Sequence, residues 1–461
     1  MKKYDLAIIG AGPAGLAAAA EASAAGLTVV MLDEQARSGG QIYRDVERAA
    51  PTRGTILGED YLHGLSLIGA TRAERVTYMP RTTVWDITPD GELSYTRDGR
   101  ADCLQAKRLL IATGALERPM PLPGWTLPGV MTAGAAQILL KQSGLISRRA
   151  VLVGSGPLLY LVAVQMVRAG APPLALLETQ GLIVGPARHL PRALMGWRVL
   201  AKGMGLLAEL RQAGVSRHKR VREISIEGEG QVGKVRFEAK QTMHEISCDT
   251  VLLHHGVVPN IQASRALRLE HDWDAGQDCF RPRIDDWGRS SARNIFIAGD
   301  GAGIGGAIAA EHAGRLAAFE IARDLGRMVV AERDRRAVPT RRALAKEHVV
   351  RPFLDAAFPR YSEALADDTI VCRCEEVTAG EIRRAAALGC TGPNQSKAFN
   401  RAGMGPCQGR YCGLTVNRLL AEANGASPEA TGYYRLRPPI KPVTLGELAQ
   451  MKQPDGLEKT A

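Results

Sequence analysis

The sequence predicts an α/β protein with two parallel sheets of the dinucleotide-binding kind, followed by a small cysteine-bearing domain. The two sheets are predicted because an apolar strand, a glycine-rich turn and a helix follow one another near residue 10 and again near residue 154. The small domain is predicted from four cysteines that form two tight pairs beyond residue 370. The chain has 461 residues, 45% of them hydrophobic, which is enough for about three domains.

The first motif lies at the start of the chain. The apolar run Tyr4–Ile9 leads into a Gly-x-Gly-x-x-Gly turn, an alanine-rich helix and a second apolar run that ends in two acids. A dinucleotide fold needs this order, because the glycines allow a tight turn, close approach of a pyrophosphate and close helix packing, and an acid accepts hydrogen bonds from a ribose. The residues expected to bind a cofactor here are Gly10, Gly12, Pro13, Ala14, Gly15, Asp33 and Glu34.

Three later motifs indicate which cofactor binds. They are Gly39-Gly40-Gln41, the strand end Ala112-Thr113-Gly114 and the strand end Gly299-Asp300. With the first motif they make residues 1–330 similar to the two-dinucleotide-domain flavoproteins, the glutathione reductase-like family. This resemblance implies FAD, with Gly39, Gly40 and Gln41 beside its pyrophosphate, Ala112, Thr113 and Gly114 near the flavin, and Gly299 and Asp300 at its ribityl chain. The implied FAD-binding domain comprises residues 1–115 and 285–330.

The second motif, in an expected second nucleotide-binding-like domain over residues 116–284, is a degraded copy of the first. Gly154 and Gly156 repeat the first two glycines, but Leu159 replaces the third, and the next strand ends at Glu178. A leucine there should hold the helix away from the strand or alter the turn, and Glu178 would repel the 2′-phosphate of NADP. Three interpretations stay open: an NADH site, a site for ATP or NAD without redox use that involves Gly154, Gly156 and Glu178, and an empty structural domain.

Electrons need another route away from the flavin, because residues 1–330 contain no Cys-x-x-Cys pair. An arginine- and proline-rich stretch over residues 331–368 predicts a linker with short helices. The pairs Cys372/Cys374 and Cys407/Cys412 follow it. Four thiolates suit an iron–sulfur cluster or an all-cysteine zinc site, and a Cys-x-Cys pair is easier to place across two irons than around one tetrahedral ion.

The cysteine segment resembles the bacterioferritin-associated ferredoxin-like domain, which binds a 2Fe–2S cluster. This resemblance implies a domain over residues 369–430 with Cys372, Cys374, Cys407 and Cys412 as ligands. The second pair has four intervening residues, where the small ferredoxin has two. Thr378 and Glu381 form a capping-box pattern that predicts the start of a helix between the two pairs. Residues 431–461 are expected to form a C-terminal tail.

Charge and hydropathy exclude other classes. The formal net charge is +11, but no nucleic-acid recognition motif is present, so no nucleic-acid partner is expected. No apolar stretch reaches about 18 residues, so no transmembrane helix is expected. The first residues lack the pattern of a signal peptide, and we therefore expect a cytoplasmic protein and leave open contact with the inner face of the cell membrane.

Over nearly its whole length the chain resembles the larger, FAD- and 2Fe–2S-carrying subunit of bacterial amine dehydrogenase complexes, a family that includes opine oxidase, D-hydroxyproline dehydrogenase, dye-linked proline dehydrogenase and hydrogen cyanide synthase. The resemblance implies a hetero-oligomer in which a smaller flavoprotein subunit oxidises the C–N bond of an amino acid or opine, with a small third subunit left open. This chain would pass the electrons to a dye, quinone or respiratory acceptor, and no catalytic residue is assigned to it. The alternatives are a self-contained NADH:acceptor oxidoreductase and a non-catalytic iron–sulfur sensor.

Overall fold

The structure, a computed structural model, describes residues 1–180, 189–361 and 363–451. The elements up to residue 111 are β1 (Lys2–Ile9), α1 (Pro13–Ala24), β2 (Val29–Leu32), α2 (Val46–Leu57), α3 (Glu59–Leu62), α4 (Leu65–Ile68), β3 (Val76–Met79), β4 (Thr82–Ile87), β5 (Glu92–Arg97) and β6 (Arg100–Ile111). The next are β7 (Ala115–Glu117), β8 (Val130–Thr132), α5 (Ala133–Ser143), β9 (Ala150–Gly154), α6 (Pro157–Arg168), β10 (Ala175–Glu178), α7 (Leu190–Met195), α8 (Trp197–Gln212), β11 (Ser216–Lys219), β12 (Arg222–Glu227), β13 (Lys234–Ala239), β14 (Thr242–Ser247), β15 (Thr250–His254), β16 (Val257–Pro259), α9 (Gln262–Ala266), β17 (His271–Asp274) and β18 (Cys279–Pro282). The last are β19 (Ile295–Ile297), α10 (Ala307–Asp324), α11 (Val330–His348), α12 (Arg351–Ala357), β20 (Ile370–Cys372), β21 (Val377–Thr378), α13 (Ala379–Ala387), α14 (Pro393–Asn400), α15 (Gly413–Ala423), α16 (Pro428–Thr431) and α17 (Leu445–Leu448).

The first sheet has seven strands in the order β3-β2-β1-β6-β5-β4, with β19 beside β6. Strands β3, β2, β1, β6 and β19 are parallel, whereas β4 and β5 form an antiparallel hairpin against β6. Helices α1 and α10 cover one face, and a second apolar cluster lies on the other. Because both faces are buried, the central strands are continuous apolar runs. The carboxyl ends of β1, β2, β6 and β19 therefore meet at one edge, where the predicted FAD motifs lie.

The second sheet is parallel in the order β11-β10-β9-β15-β8. Helices α5, α6 and α8 pack on one face, and the antiparallel strands β12 to β14 pack on the other. Two parallel sheets in one chain confirm the predicted α/β fold class. The boundaries expected near residues 115, 284 and 330 stay a prediction.

A linker with short helices is predicted over residues 331–368, but the structure has a long helix there. Helix α11 is 19 residues long and contains Pro339. It packs on α10, where Arg333 Nη1 lies 2.7 Å from Glu320 Oε2, and on the loop before β19, where the Arg333 guanidinium lies 4.3 Å from the Trp287 ring centroid. The arginine-rich composition thus reflects a packed helix.

The cysteine-bearing region is a β20–β21 hairpin followed by α13 to α16 around a core of its own. The expected capping box is present, since the Thr378 hydroxyl accepts the Glu381 N–H and the Glu381 carboxylate accepts the Thr378 N–H. The tail continues to the first sheet, where Ile440 N donates to Trp85 O at 2.8 Å. The end of the predicted tail, residues 452–461, lies outside the described residues. No helix in the described ranges is long and apolar enough to cross a bilayer.

Candidate functional site

The first glycine turn joins β1 to α1 without room for side chains. Gly10 has a φ of +106°, and a Cβ atom on it would lie 2.5 Å from the Ala112 carbonyl oxygen. A Cβ atom on Gly15 would overlap the Gly10 carbonyl. Pro13 occupies the first turn of α1, where its missing N–H costs nothing. The N-terminus of α1 consequently stays close to the strand and directs free N–H groups to the sheet edge.

Three further predicted loops converge on this turn. A Cβ atom on Gly40 would lie 2.8 Å from Gly12 Cα, and one on Gly299 would lie 2.9 Å from Ala14 Cβ. Asp300 Oδ1 accepts from the N–H groups of the two glycines before α10, Gly305 and Gly306, at 2.9 Å each.

The loops leave a cradle between them. Gly114 and Gly306 have no atom within 4 Å on the side where a Cβ would stand, and Gly12 has only Gly40 Cα at 3.7 Å. Backbone N–H groups and open space at glycines are what a pyrophosphate-containing cofactor needs, so the residues present fit FAD.

The two predicted acids have different surroundings. Asp33 Oδ2 accepts from the Ala11 N–H at 2.6 Å, and Asp33 Oδ1 accepts from the Gln35 N–H at 2.7 Å. Burial raises the pKa of Asp33 above its ordinary value, against the lowering effect of these two bonds. Glu34 is exposed and pairs with Lys441 of the tail at 2.6 Å. Asp33 therefore faces the glycine turn, whereas Glu34 holds the tail.

A buried lysine that the sequence analysis missed supports the Gly39-Gly40-Gln41 loop. Lys141 of α5 donates from Nζ to Gln41 O at 3.0 Å and Ile42 O at 2.9 Å, and burial lowers the pKa of its ammonium to about 7. Gln41 Nε2 donates to Ala115 O at 3.2 Å and so links this loop to the Ala112-Thr113-Gly114 loop. Lys141 belongs to no local motif, and only the tertiary fold brings it to the loop.

The second glycine turn differs from the first in its hydrogen bonding. Helix α6 begins at Pro157. The Gly156 carbonyl accepts a hydrogen bond from Leu159 N, three residues on, whereas in the first copy the Gly12 carbonyl accepts from Leu16 N, four residues on. Gly156 takes a φ of +119°. Leu159 is fully buried in the core beside β9.

The predicted Glu178 and the neighbouring Ser155 already have partners within the chain. The Glu178 carboxylate pairs with Arg217 at 2.6 Å. The Ser155 hydroxyl between the two glycines donates to Pro359 O at 3.1 Å, and the Phe358 ring lies 6.1 Å from the Tyr160 ring. The segment after α12 therefore lies against the second glycine turn.

Both histidines at the end of β15 are buried and bonded. His254 Nδ1 lies 2.5 Å from Glu117 Oε1, and His255 Nε2 lies 2.7 Å from Pro119 O. Burial and the neighbouring Arg118 hold the pKa of His255 well below its ordinary value. These contacts are those of structural side chains.

The four predicted cysteine ligands lie together in the cysteine-bearing region. Cys372 ends β20, Cys407 lies in the loop before α15, and Cys412 is the N-cap of α15. The thiols form two pairs, Cys372 with Cys412 and Cys374 with Cys407. The Cys412 thiol lowers the pKa of Cys372 to about 6, and that bond raises the pKa of Cys412.

Among the described residues, no three His, Cys, Asp or Glu side chains converge as ligands of one metal ion. Four neighbouring thiols in two pairs are the donor set of a two-iron cluster, so the residues present fit one. The loop before Cys407 contributes Gly403 N, which lies 3.5 Å from Cys372 Sγ. Tyr434 packs against this loop and donates from its hydroxyl to Ala402 O at 2.7 Å.

Helix α9 joins the flavin side to the cysteine side. Asn260 N donates to Gly114 O at 2.9 Å, and the Thr113 hydroxyl donates to Asn260 O at 3.3 Å. Two residues later, the buried Gln262 donates from Nε2 to Cys407 O at 3.1 Å and to Gln408 O at 3.3 Å. Sequence reasoning missed Gln262, because nothing local marks a glutamine that contacts residues about 145 positions away.

Two protein-family models match the chain. The model described as pyridine nucleotide-disulphide oxidoreductase matches residues 4–314, and the model described as BFD-like [2Fe-2S] binding domain matches residues 370–422. The first covers the two parallel sheets up to α10, and the second covers all four paired cysteines.

The chain is also similar over its full length to known proteins. An opine oxidase subunit of Agrobacterium tumefaciens is 46% identical over 97% of this chain and 92% of that relative. Hydrogen cyanide synthase subunit HcnB of Pseudomonas aeruginosa is 32% identical over 95% of this chain and 96% of that relative. Among solved structures, L-proline dehydrogenase from P. horikoshii has the same fold, with a TM-score of 0.71 and 20% identity over 97% of this chain and 79% of that chain.

Proposed function

Because the chain belongs to the pyridine nucleotide-disulphide oxidoreductase family, also matches a BFD-like [2Fe-2S] binding domain and is similar to opine oxidase subunits, we propose that it is the electron-transfer subunit of a complex that oxidises amino acids or opines. The proposed donor is a C–N bond oxidised to an imine on a smaller flavoprotein subunit. That oxidation releases two electrons, which pass through this chain to a dye, quinone or respiratory acceptor. FAD would accept electrons in pairs and release them singly, and a 2Fe–2S centre would carry one at a time.

The observation that carries the proposal is the hydrogen-bonded connection between the two cofactor regions. It runs from Gly114 through Asn260 and Gln262 to the backbone of Cys407. Each link is a hydrogen bond of 3.3 Å or less or the short covalent step from Asn260 to Gln262 at the start of α9. A protein that carried electrons on only one of the two cofactors would not need this connection between their binding regions.

We assign the second glycine motif no part in hydride transfer. Ser155 is bonded to Pro359 O, Glu178 is bonded to Arg217, and the turn differs from the first copy. NADH would have to break these contacts to bind, which disfavours the self-contained NADH oxidoreductase. ATP or NAD without redox use would have to displace the same groups, so we favour a structural domain.

The finer assignments complete the proposal. We assign FAD to the glycine turn at residues 10–15 with Asp33, and to the loops at residues 39–41, 112–114 and 299–300. The cluster ligands are Cys372, Cys374, Cys407 and Cys412. The corresponding division is an FAD domain from residues 1–115 and 285–330, a second domain over 116–284 and a cluster domain over 369–430.

The test uses the chain purified alone and together with the smaller flavoprotein subunit encoded beside it. Alone, it should contain one FAD, two irons and two acid-labile sulfides, and NADH should not bleach its flavin. With the partner, amino acids or opines should reduce an added dye. Zinc in place of iron and sulfide, or rapid flavin bleaching by NADH without any amine activity of the complex, would contradict the proposal.

A further inference from the structure

Helix α8 has two apolar faces, of which one is used by the fold. Leu206, Leu207 and Leu210 pack with α6 in the core of the second domain. A second stripe follows the helical spacing of four, three and four residues through Trp197, Ala201, Met204 and Ala208. In this stripe the Trp197 and Met204 side chains are 61% and 66% exposed.

The stripe continues into the turn before the helix. Leu194 and Met195 at the end of α7 are 61% and 74% exposed. Scattered exposed apolar side chains are common, but four large ones in one short segment make a patch of the kind that binds another molecule. We call Leu194, Met195, Trp197, Met204 and Ala208 the α8 patch.

Cations border the α8 patch. The Arg198 guanidinium lies 5.8 Å from the Trp197 ring centroid, and Arg211 is exposed at the other end of the stripe. There, Ala208 and Arg211 line an open groove of roughly 470 Å³ together with Arg217, whose charge is offset by Glu178. The one acid of α8, Glu209, is bonded to Arg168 at 2.8 Å. Arg198 and Arg211 therefore make the border of the α8 patch positive, which suits an occupant that carries carboxylates.

The composition of the patch favours a protein over a lipid surface. Tryptophan, methionine and arginine are the residues that protein interfaces enrich, and they dominate here. Exposed Gly205 and Ala208 let another backbone come close to the helix. A helix that lies in a membrane surface buries its apolar face in lipid, but the leucine face of α8 already packs against the core of the second domain.

We propose that the α8 patch is the docking surface for the smaller flavoprotein subunit, which meets it with an apolar surface bordered by Asp or Glu. This inference rests on the proposed function, because it requires such a subunit. Trp197 and Met204 are the central contacts, and Arg198 and Arg211 pair with the acidic border.

The experiment measures binding of the smaller flavoprotein subunit to the full-length holoprotein by calorimetry. The double variant Trp197→Glu/Met204→Glu should weaken binding at least about a hundredfold, since buried aromatic anchors dominate interfaces and the new acids face acids. Val329→Glu is the matched control, because Val329 is 71% exposed and lies at the N-terminus of α11, where an acid is tolerated; it should bind as the wild type does. Arg198→Gln/Arg211→Gln should reduce the salt dependence of the association rate.

The outcomes separate this inference from the function on which it rests. If the wild type binds no partner subunit, the proposed function fails. If the wild type and the Trp197→Glu/Met204→Glu variant bind equally, only the docking surface is wrong. Binding of the wild type to anionic phospholipid vesicles that the double variant loses, with partner binding intact, would assign the patch to a membrane and overturn the inference. Far-UV circular dichroism confirms that each variant is folded.

Discussion

At the scale of single residues, glycines decide whether the FAD-side loops can meet. Gly40 has a φ of +61° and stands against Gly12, whereas Gly26 has a φ of +82° and no atom within 4 Å of its Cβ position. Both require left-handed backbone, which costs a non-glycine residue roughly 1 kcal/mol. Only Gly40 also has a steric reason to be glycine.

We therefore expect Gly40→Ala to abolish or strongly reduce FAD content. Its methyl group would lie 2.8 Å from Gly12 Cα, so one of the two loops must move. Gly26→Ala should lose only about 1 kcal/mol of stability and keep its FAD. The flavin absorbance per protein measures the difference, and a fully flavinylated Gly40→Ala protein would contradict it.

Gln262 is the second decisive residue. Gln262→Leu removes two hydrogen bonds to the loop of Cys407 and leaves the Cys407 and Gln408 carbonyls without this donor, at a cost of about 0.5–1.5 kcal/mol per bond. We expect the cluster to be lost several times faster on mild heating, followed by its visible absorbance, while FAD content stays unchanged. Equal cluster lifetimes in Gln262→Leu and the wild type would show that the hydrogen bonds from Gln262 do not hold the cysteine loop.

At the scale of elements, the sequence predicts what is local and misses what is tertiary. The first glycine turn, the capping box at Thr378 and the spacing of the cysteines are local patterns with a direct physical reason. The long helix α11 was missed because arginine and proline are typical of solvated linkers, and nothing local shows that Arg333 pairs with Glu320 of α10. The contacts of Gln262 and Lys141 were missed for the same reason.

Glu320 shows how α11 is held on α10. Burial would raise the pKa of this carboxyl, but bonds from Arg323, Arg333 and Arg289 hold it below its ordinary value. A lowered pKa in the folded protein stabilises the fold at all pH values above the unfolded pKa, and the effect is lost as the pH falls through the folded pKa.

We expect Glu320→Gln to lower the stability of the α10–α11 packing by about 1.5–3 kcal/mol at pH 7, because it removes the charge from bonds to three arginines. The difference between variant and wild type should shrink below about pH 4, as the wild-type carboxyl becomes protonated. Thermal unfolding followed by circular dichroism at pH 7, 4 and 3 measures it. A difference that does not change with pH would contradict this role of the charge.

At the scale of the whole molecule, the C-terminal tail joins the two cofactor regions from the outside. Arg410 of the cysteine loop donates to Ile440 O at 3.0 Å, while Ile440 N donates to Trp85 O of the first sheet. The Ile440 side chain is buried in the core of that sheet, and the next residue, Lys441, forms the ion pair with Glu34. Tail and Gln262 thus hold the cysteine loop on two sides, as electron transfer over a fixed distance requires.

These two adjacent residues give a matched pair of variants. Ile440→Ala removes a buried side chain, which costs about 2–5 kcal/mol, and should free the tail from the first sheet. Lys441→Gln removes an ion pair at the surface, which is worth at most about 1 kcal/mol. We expect the amides of residues 403–412 to exchange hydrogen at least about tenfold faster in Ile440→Ala and nearly unchanged in Lys441→Gln, with electron transfer from flavin to cluster slowed only in Ile440→Ala. If both variants behave alike, the buried anchor of the tail does not position the cysteine loop.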